Sequence, residues 1–157
     1  MQIFKKKFTL FIMILFISSC GYTPVYINKS KNNMNFKIVS MTGDSIINGY
    51  LKNLINNNSS KKSEDENQTF LLNINSQYTK NSISKDSKGN STVYLSTVSI
   101  KFEISRGNTR KEILLTDNLT FNNLNDKIEE INYENSIKQN FAESLFENFF
   151  IQLTDFE

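Results

Sequence analysis

The stretch TFLLNINSQYTKNSI, residues Thr69–Ile83, alternates apolar and polar side chains over most of its length. The apolar set is Phe70, Leu72, Ile74 and Tyr78, and the polar set between them is Asn73, Asn75, Gln77 and Thr79. Successive side chains of a strand point to opposite faces of a sheet, so the pattern predicts a long β-strand with one dry face and one wet face.

Two further strands are predicted on its C-terminal side. A turn-forming cluster, Ser84–Asn90, leads into Ser91–Ser105, where Tyr94, Val98, Ile100, Phe102 and Ile104 share one side. The segment Arg106–Arg110 contains Gly107 and Asn108, which tolerate positive φ, and predicts a hairpin connection. The strand Lys111–Phe121 then aligns Ile113, Leu115, Leu119 and Phe121. Two adjacent hairpins predict an antiparallel meander with one dry face.

Helical patterns lie on both sides of this meander. A short strand, Asn35–Met41, precedes a helix that Asp44 or Ser45 can cap and that Asn56–Ser60 ends. Its apolar positions recur at spacings of one, three and four, namely Ile46, Ile47, Tyr50, Leu51, Leu54 and Ile55. A long helix is predicted from Asn125 or Asp126 to Leu153, with Ile137, Phe141, Leu145 and Phe149 every four residues.

The order strand, helix, three strands, helix predicts an α+β fold. We expect a two-layer sandwich in which two helices cover one face of a four-stranded, mostly antiparallel sheet. Residues 35–157 are expected to form this single domain, because a domain of ~100–150 residues is the commonest size.

Composition excludes several kinds of function. The 157 residues include no His and one Cys, so a Ser-His-Asp triad, a Cys-His pair and a histidine-bearing zinc site are impossible. The net charge of +2 is far from the clearly basic character of most nucleic-acid-binding domains, so the composition does not indicate nucleic-acid binding. The acidic run Glu64–Glu66 is interpreted as a solvated loop. Glu129 and Glu130 are interpreted as acidic residues that interact favourably with the positive end of the helix dipole. A hydrolase that uses carboxylates alone stays an alternative. We therefore expect no enzyme, no metal and no cofactor.

The first residues predict an export signal. Lys5, Lys6 and Lys7 precede the apolar run Phe8–Ile17, and the small residues Ser18 and Ser19 lead to Cys20. This is the pattern of a secretory signal peptide over residues 1–19. The apolar run is too short for a membrane-spanning helix, which needs about 20 apolar residues. Without residues 1–19 the mature chain has 138 of the 157 residues, and its net charge becomes −1 because three lysines are lost.

The sequence Ile17-Ser18-Ser19-Cys20 resembles the bacterial lipobox. The resemblance implies that Cys20 becomes the first mature residue and carries covalent diacylglycerol and an N-acyl chain such as palmitate. Residues 20–34, which contain the one Pro of the chain at position 24, would then be a lipidated tether. Gly21 stands where Asp would retain a lipoprotein in the inner membrane, which favours the outer membrane.

The segments Cys20-Gly21-Tyr22 and Pro24-Val25-Tyr26, with the order of elements, resemble the lipopolysaccharide-assembly lipoprotein family LptE, of the alphaproteobacterial type. The resemblance implies an outer-membrane lipoprotein, lipid-anchored on the periplasmic face, that forms a plug and assembly partner of the LptD-type β-barrel and supports lipopolysaccharide export. The chain departs from many relatives in having no arginine in its first helix region. Two alternatives stay open: an envelope lipoprotein that carries lipid, and one that assembles other outer-membrane proteins.

Six basic residues are candidate contacts to lipopolysaccharide or the barrel. Consecutive connections of a meander lie at opposite ends of the sheet, so we expect two patches, one of Lys80, Lys85 and Lys88 and one of Arg106, Arg110 and Lys111. Either patch could pair with phosphate or carboxylate groups. Ordinary surface charge is the alternative interpretation.

Overall fold

The computed structural model describes residues 34–60, 69–124 and 126–154. The predicted signal peptide, the lipidation site Cys20 and the tether up to residue 33 lie outside the described residues, as does the acidic run Glu64–Glu66. Met34, the last tether residue, is buried in the core, and its carbonyl accepts a hydrogen bond from the Ser60 amide at 2.8 Å.

The described residues form six elements. They are β1 (Asn35–Gly43), α1 (Ser45–Asn58), β2 (Thr69–Lys85), β3 (Ser91–Arg106), β4 (Thr109–Asn122) and α2 (Lys127–Thr154). The sheet order is β1-β2-β3-β4, and β1 runs parallel to β2 while the other two pairs are antiparallel. The predicted α+β class, with a four-stranded and mostly antiparallel sheet, is confirmed.

The two hairpins lie at opposite ends of the sheet. The β2–β3 ladder ends at Lys85 opposite Ser91, and the β3–β4 ladder ends at Arg106 opposite Thr109. The second turn has two central residues, and its first one, Gly107, has φ +55°. A glycine with positive φ at that position suits a type II′ turn, whose twist matches that of the flanking strands.

One face of the sheet is covered by both helices and carries the core. Each of the three long strands contributes alternate residues, and α2 adds its aromatic row; the largest buried side chains include Phe70, Phe102, Phe146, Phe149 and Phe150. The rings of Phe102 and Phe149 stack with centroids 4.2 Å apart, which joins α2 to the centre of the sheet. Leu119, predicted to share this face, is 40% exposed, whereas Ile113, Leu115 and Phe121 of the same strand are buried.

The entry into α1 is tightly constrained. Asp44 caps the helix, because its carboxylate accepts hydrogen bonds from the amides of Ile46 and Ile47, both at 3.0 Å. Gly43 immediately before it has φ +100°, and a Cβ there would lie 1.7 Å from the Ser76 carbonyl oxygen. A glycine is therefore required where β1 ends beside Ser76 of β2. Of the two predicted caps, Asp44 is correct, and the helix continues to Asn58.

Candidate functional surfaces

Lys80 lies on the helix-covered face of β2, away from the other predicted basic residues. Its ammonium group contacts the Glu130 carboxylate, lies 3.1 Å from Glu134 Oε2, and is 4.5 Å from the centre of the Tyr94 ring. The side chain is therefore held between β2 and α2. The structure does not bring it together with Lys85 and Lys88.

Lys80 belongs to an alternating series of charges that we call the charge network. Lys138 Nζ lies 2.8 Å from the Asp44 carboxylate and 3.7 Å from that of Glu134, while Lys127 contacts Glu130 at 3.2 Å. The network comprises Asp44, Lys80, Lys127, Glu130, Glu134 and Lys138. It joins the start of α1, the middle of β2 and the first half of α2.

Two carboxyl groups of the network have shifted pKa values. The hydrogen bond from Lys80 lowers the pKa of Glu130 against the opposing effect of burial. Burial raises the pKa of Asp44, but the hydrogen bond from Lys138 and the bonds from the helix amides outweigh it and lower the pKa. Burial would lower the pKa of Lys80, yet its bonds to Glu130 and Glu134 raise it. All three groups are therefore stabilised in their charged forms.

Sequence reasoning missed this network. Glu130 and Lys138 are only 7% and 9% exposed, although such residues are rarely buried unless paired. Glu130, Glu134 and Lys138 continue the four-residue spacing of Ala142, Phe146 and Phe150 toward the start of α2. The position of these charged residues on the same helix face as the buried side chains was the signal in the sequence that could have predicted the network.

The β2–β3 hairpin presents two of the predicted basic residues. Lys85 and Lys88 are both exposed there. The Asp86 carboxylate holds the turn by accepting hydrogen bonds from the amides of Lys88 at 2.9 Å and Asn90 at 2.8 Å. The contacts of Lys85 and Lys88 to lipopolysaccharide or a barrel stay predictions.

The β3–β4 hairpin divides its basic residues between the two faces of the sheet. The Arg106 guanidinium lies over the Phe70 ring at 4.6 Å, and Lys111 Nζ donates to the Gln152 carbonyl at 2.9 Å, near the end of α2. Arg110 pairs with Ser105 and is exposed on the opposite face. The predicted patch is thus divided into two half-buried cations on the helix-covered face and one cation on the open face.

The face of the sheet that the helices leave uncovered is polar. A shallow depression of about 530 Å³ crosses β1, β2 and β3 and is lined by residues such as Thr42, Asn75 and Lys101. Three successive cross-strand rows, the first of which also lines this depression through Gln77 and Ser99, contain no charged side chain. We call these rows the uncharged patch, which comprises Gln77, Ser99 and Thr116, then Thr79, Thr97 and Asn118, then Asn81, Leu95 and Thr120.

Two kinds of functional feature do not occur in the described part of the chain. Within residues 34–60, 69–124 and 126–154, no group of three acidic or cysteine side chains is placed to hold a metal ion. Over the same ranges, no helix combines the length and apolarity that crossing a bilayer requires. Glu129 is exposed at the start of α2, whereas its neighbour Glu130 belongs to the charge network.

Comparison with known proteins shows a shared fold. No protein-family model and no curated protein sequence matches the chain. The structure of rare lipoprotein B from Shewanella oneidensis superposes with a TM-score of 0.55 at 10% identity, covering 76% of this chain and 98% of that one. A minor lipoprotein from Acinetobacter baumannii (TM-score 0.46, 18% identity, 72% and 91% coverage) and an uncharacterized lipoprotein B from Nitrosomonas europaea (0.40, 15%, 71% and 81%) are more distant in structure. The chain therefore has the fold of rare lipoprotein B.

Proposed function

We propose that this protein is a non-enzymatic lipoprotein, anchored through Cys20 to the periplasmic face of the outer membrane. It would act as plug and assembly partner of an LptD-type β-barrel and so support lipopolysaccharide export. The observation that carries the proposal is a cysteine in a lipobox-like sequence 15 residues before β1 of this α+β fold. A fully extended tether of that length reaches about 50 Å, enough to place the domain within a neighbouring barrel.

The comparison supports the proposal at the level of the fold. Rare lipoprotein B from Shewanella oneidensis is aligned over 98% of its length, so the same two-layer domain occurs in a bacterial lipoprotein. The Cys20-Gly21-Tyr22 and Pro24-Val25-Tyr26 segments add the resemblance to LptE. Diacylglycerol on the thiol and an N-acyl chain on the amine would make attachment effectively permanent, because one acyl chain by itself binds a membrane only marginally.

The interior of the domain favours a plug over a lipid carrier. A carrier needs an apolar cavity, whereas the region beneath α2 is packed with aromatic rings. Phe149 lies 4.2 Å from Phe102 and 6.2 Å from Phe146 between ring centroids, and Phe36 lies 5.5 Å from Phe150. A solid domain with amide and hydroxyl groups on its surface suits the polar lumen of a large barrel.

Tagging the full chain at its C-terminus and purifying it from outer membranes in mild detergent tests this function. We expect an outer-membrane barrel to co-purify, and mass spectrometry of the mature N-terminal peptide to show acylated Cys20. The matched control is Cys20→Ser, which should leave the membrane fraction because it removes the acylated thiol. An unmodified Cys20 thiol in the native protein, or a free monomer whose depletion leaves barrel maturation unchanged, would refute the proposal.

A further inference from the structure

The uncharged patch differs from the rest of the open face in its electrostatics. Toward the β3–β4 hairpin the open face carries Lys101, Glu103 and Glu112, which pair with one another at 2.7 and 3.4 Å. At the other end lie the exposed cations Lys85 and Lys88. Charge is therefore concentrated at the two ends, and the region between them is neutral over three rows on each of β2, β3 and β4.

The side chains of the uncharged patch are largely available for hydrogen bonds. Among the described residues, the patch contains one side-chain hydrogen bond, between Ser99 and Thr116 at 3.2 Å. Thr97, at the centre of the patch, is half-buried by its neighbours, and Thr79 beside it is exposed. A surface of this kind can be buried at low cost if the partner offers hydrogen bonds, whereas buried charges require matched counter-charges.

The dimensions of the open face suit a stable interface. Three neighbouring strands are about 14 Å wide, and 14 residues of strand extend about 46 Å, so the face offers roughly 650 Å². A standard protein–protein interface buries about 800 Å² on each partner. The open face therefore supplies most of one side of such an interface, and its centre is the uncharged patch.

We infer that the uncharged patch is the surface through which this domain docks onto a protein wall of uncharged, hydrogen-bonding side chains. The inference rests on the proposed function, under which that wall is the inner surface of the barrel. It assigns the contact to the open face of the sheet and not to the outer surface of α2.

Introducing charge into the patch tests this assignment in the full-length, tagged protein. The double variant Thr97→Lys/Thr116→Lys should recover at least tenfold less barrel from outer membranes, because two ammonium groups would be buried against a neutral wall. The matched control is Ser144→Lys, which replaces an exposed hydroxyl on the outer side of α2 and should recover as much barrel as the wild type. Thermal unfolding followed by circular dichroism reports whether each variant is folded.

A second measurement covers the case in which the double variant does not fold. A photo-reactive side chain at position Thr97 should cross-link to the barrel, whereas the same group at Ser144 should not. Cross-linking from Ser144 and not from Thr97, or full recovery of the barrel by a folded double-lysine variant, would overturn the docking inference while leaving the proposed function intact. If the wild type recovers no barrel, the proposed function fails and the inference fails with it.

Discussion

Replacing Gly43 with alanine tests how β1, β2 and α1 are joined. The added Cβ would lie 1.7 Å from the Ser76 carbonyl oxygen, and real Cβ contacts are not shorter than 3.0 Å, so the backbone of β1 or β2 must move. That oxygen also accepts the Asp44 amide hydrogen bond at 3.1 Å. The substitution therefore disturbs the helix cap and the end of the parallel ladder together.

The expected loss in the free energy of unfolding of Gly43→Ala follows from three contributions. Holding a non-glycine residue in a sparsely populated backbone region costs about 1–3 kcal/mol. The lost Asp44–Ser76 hydrogen bond adds about 1 kcal/mol, and displacing the Asp44 cap adds about another 1 kcal/mol. We expect Gly43→Ala to lower the free energy of unfolding by about 3–5 kcal/mol, or the Tm by roughly 12–20 °C for a domain of this size.

Urea and thermal unfolding followed by circular dichroism measure this effect. The matched control is Gly49→Ala in the middle of α1, where a new Cβ meets nothing within 4 Å. Because alanine is the better helix former, we expect that variant to be about 0.5–1 kcal/mol more stable than the wild type. A Gly43→Ala protein that unfolds within about 1 kcal/mol of the wild type would show that the close approach to Ser76 is not needed.

Three further outcomes test the charged residues. Lys80→Met should destabilise the fold by about 2–3 kcal/mol because it removes the cation that contacts both the buried Glu130 and the half-buried Glu134. Lys101→Met breaks exposed pairs and should leave the urea midpoint close to that of the wild type; equal urea midpoints of the two variants would contradict this. Because the pKa values of Asp44 and Glu130 are lowered in the folded protein, both carboxylates stabilise the fold at neutral pH. This contribution to the free energy of unfolding is lost as pH falls below about 5. The urea midpoint should drop there, with a smaller drop in Lys80→Met, and a midpoint independent of pH between about 5 and 3 would contradict the assignment. Arg106→Ala/Arg110→Ala should weaken binding to lipopolysaccharide or the barrel in a pull-down while the domain stays folded, and unchanged binding would remove this hairpin from the candidate contacts.

Much of the fold could be predicted from the sequence because strand and helix periods are local properties. Phe70, Leu72 and Ile74 recur at every second position, and the structure buries all three beneath the helices. The spacing of Phe141, Leu145 and Phe149 likewise placed α2 on the core. Element ends were less accurate, since β2 continues to Lys85 through residues with no apolar alternation.

The candidate basic patches were predicted less well, because residues that share a loop do not necessarily share a face of the sheet. Lys80 has the same parity as Phe70 and Leu72, which places it under α2. Arg106 and Lys111 likewise share the covered face, whereas Arg110 lies on the open one. Strand parity, which is a property of the sequence, is sufficient to separate these residues.

The sequence by itself determined the elements and their buried faces, because each of these depends on residues close together in the chain. The tertiary structure decided which charges meet. Lys80 and Glu130 are 50 residues apart, and Lys138 and Asp44 are 94 apart. Such pairs depend on the angle and register at which α2 crosses the sheet. The packing of the whole core sets that placement, and no local pattern encodes it.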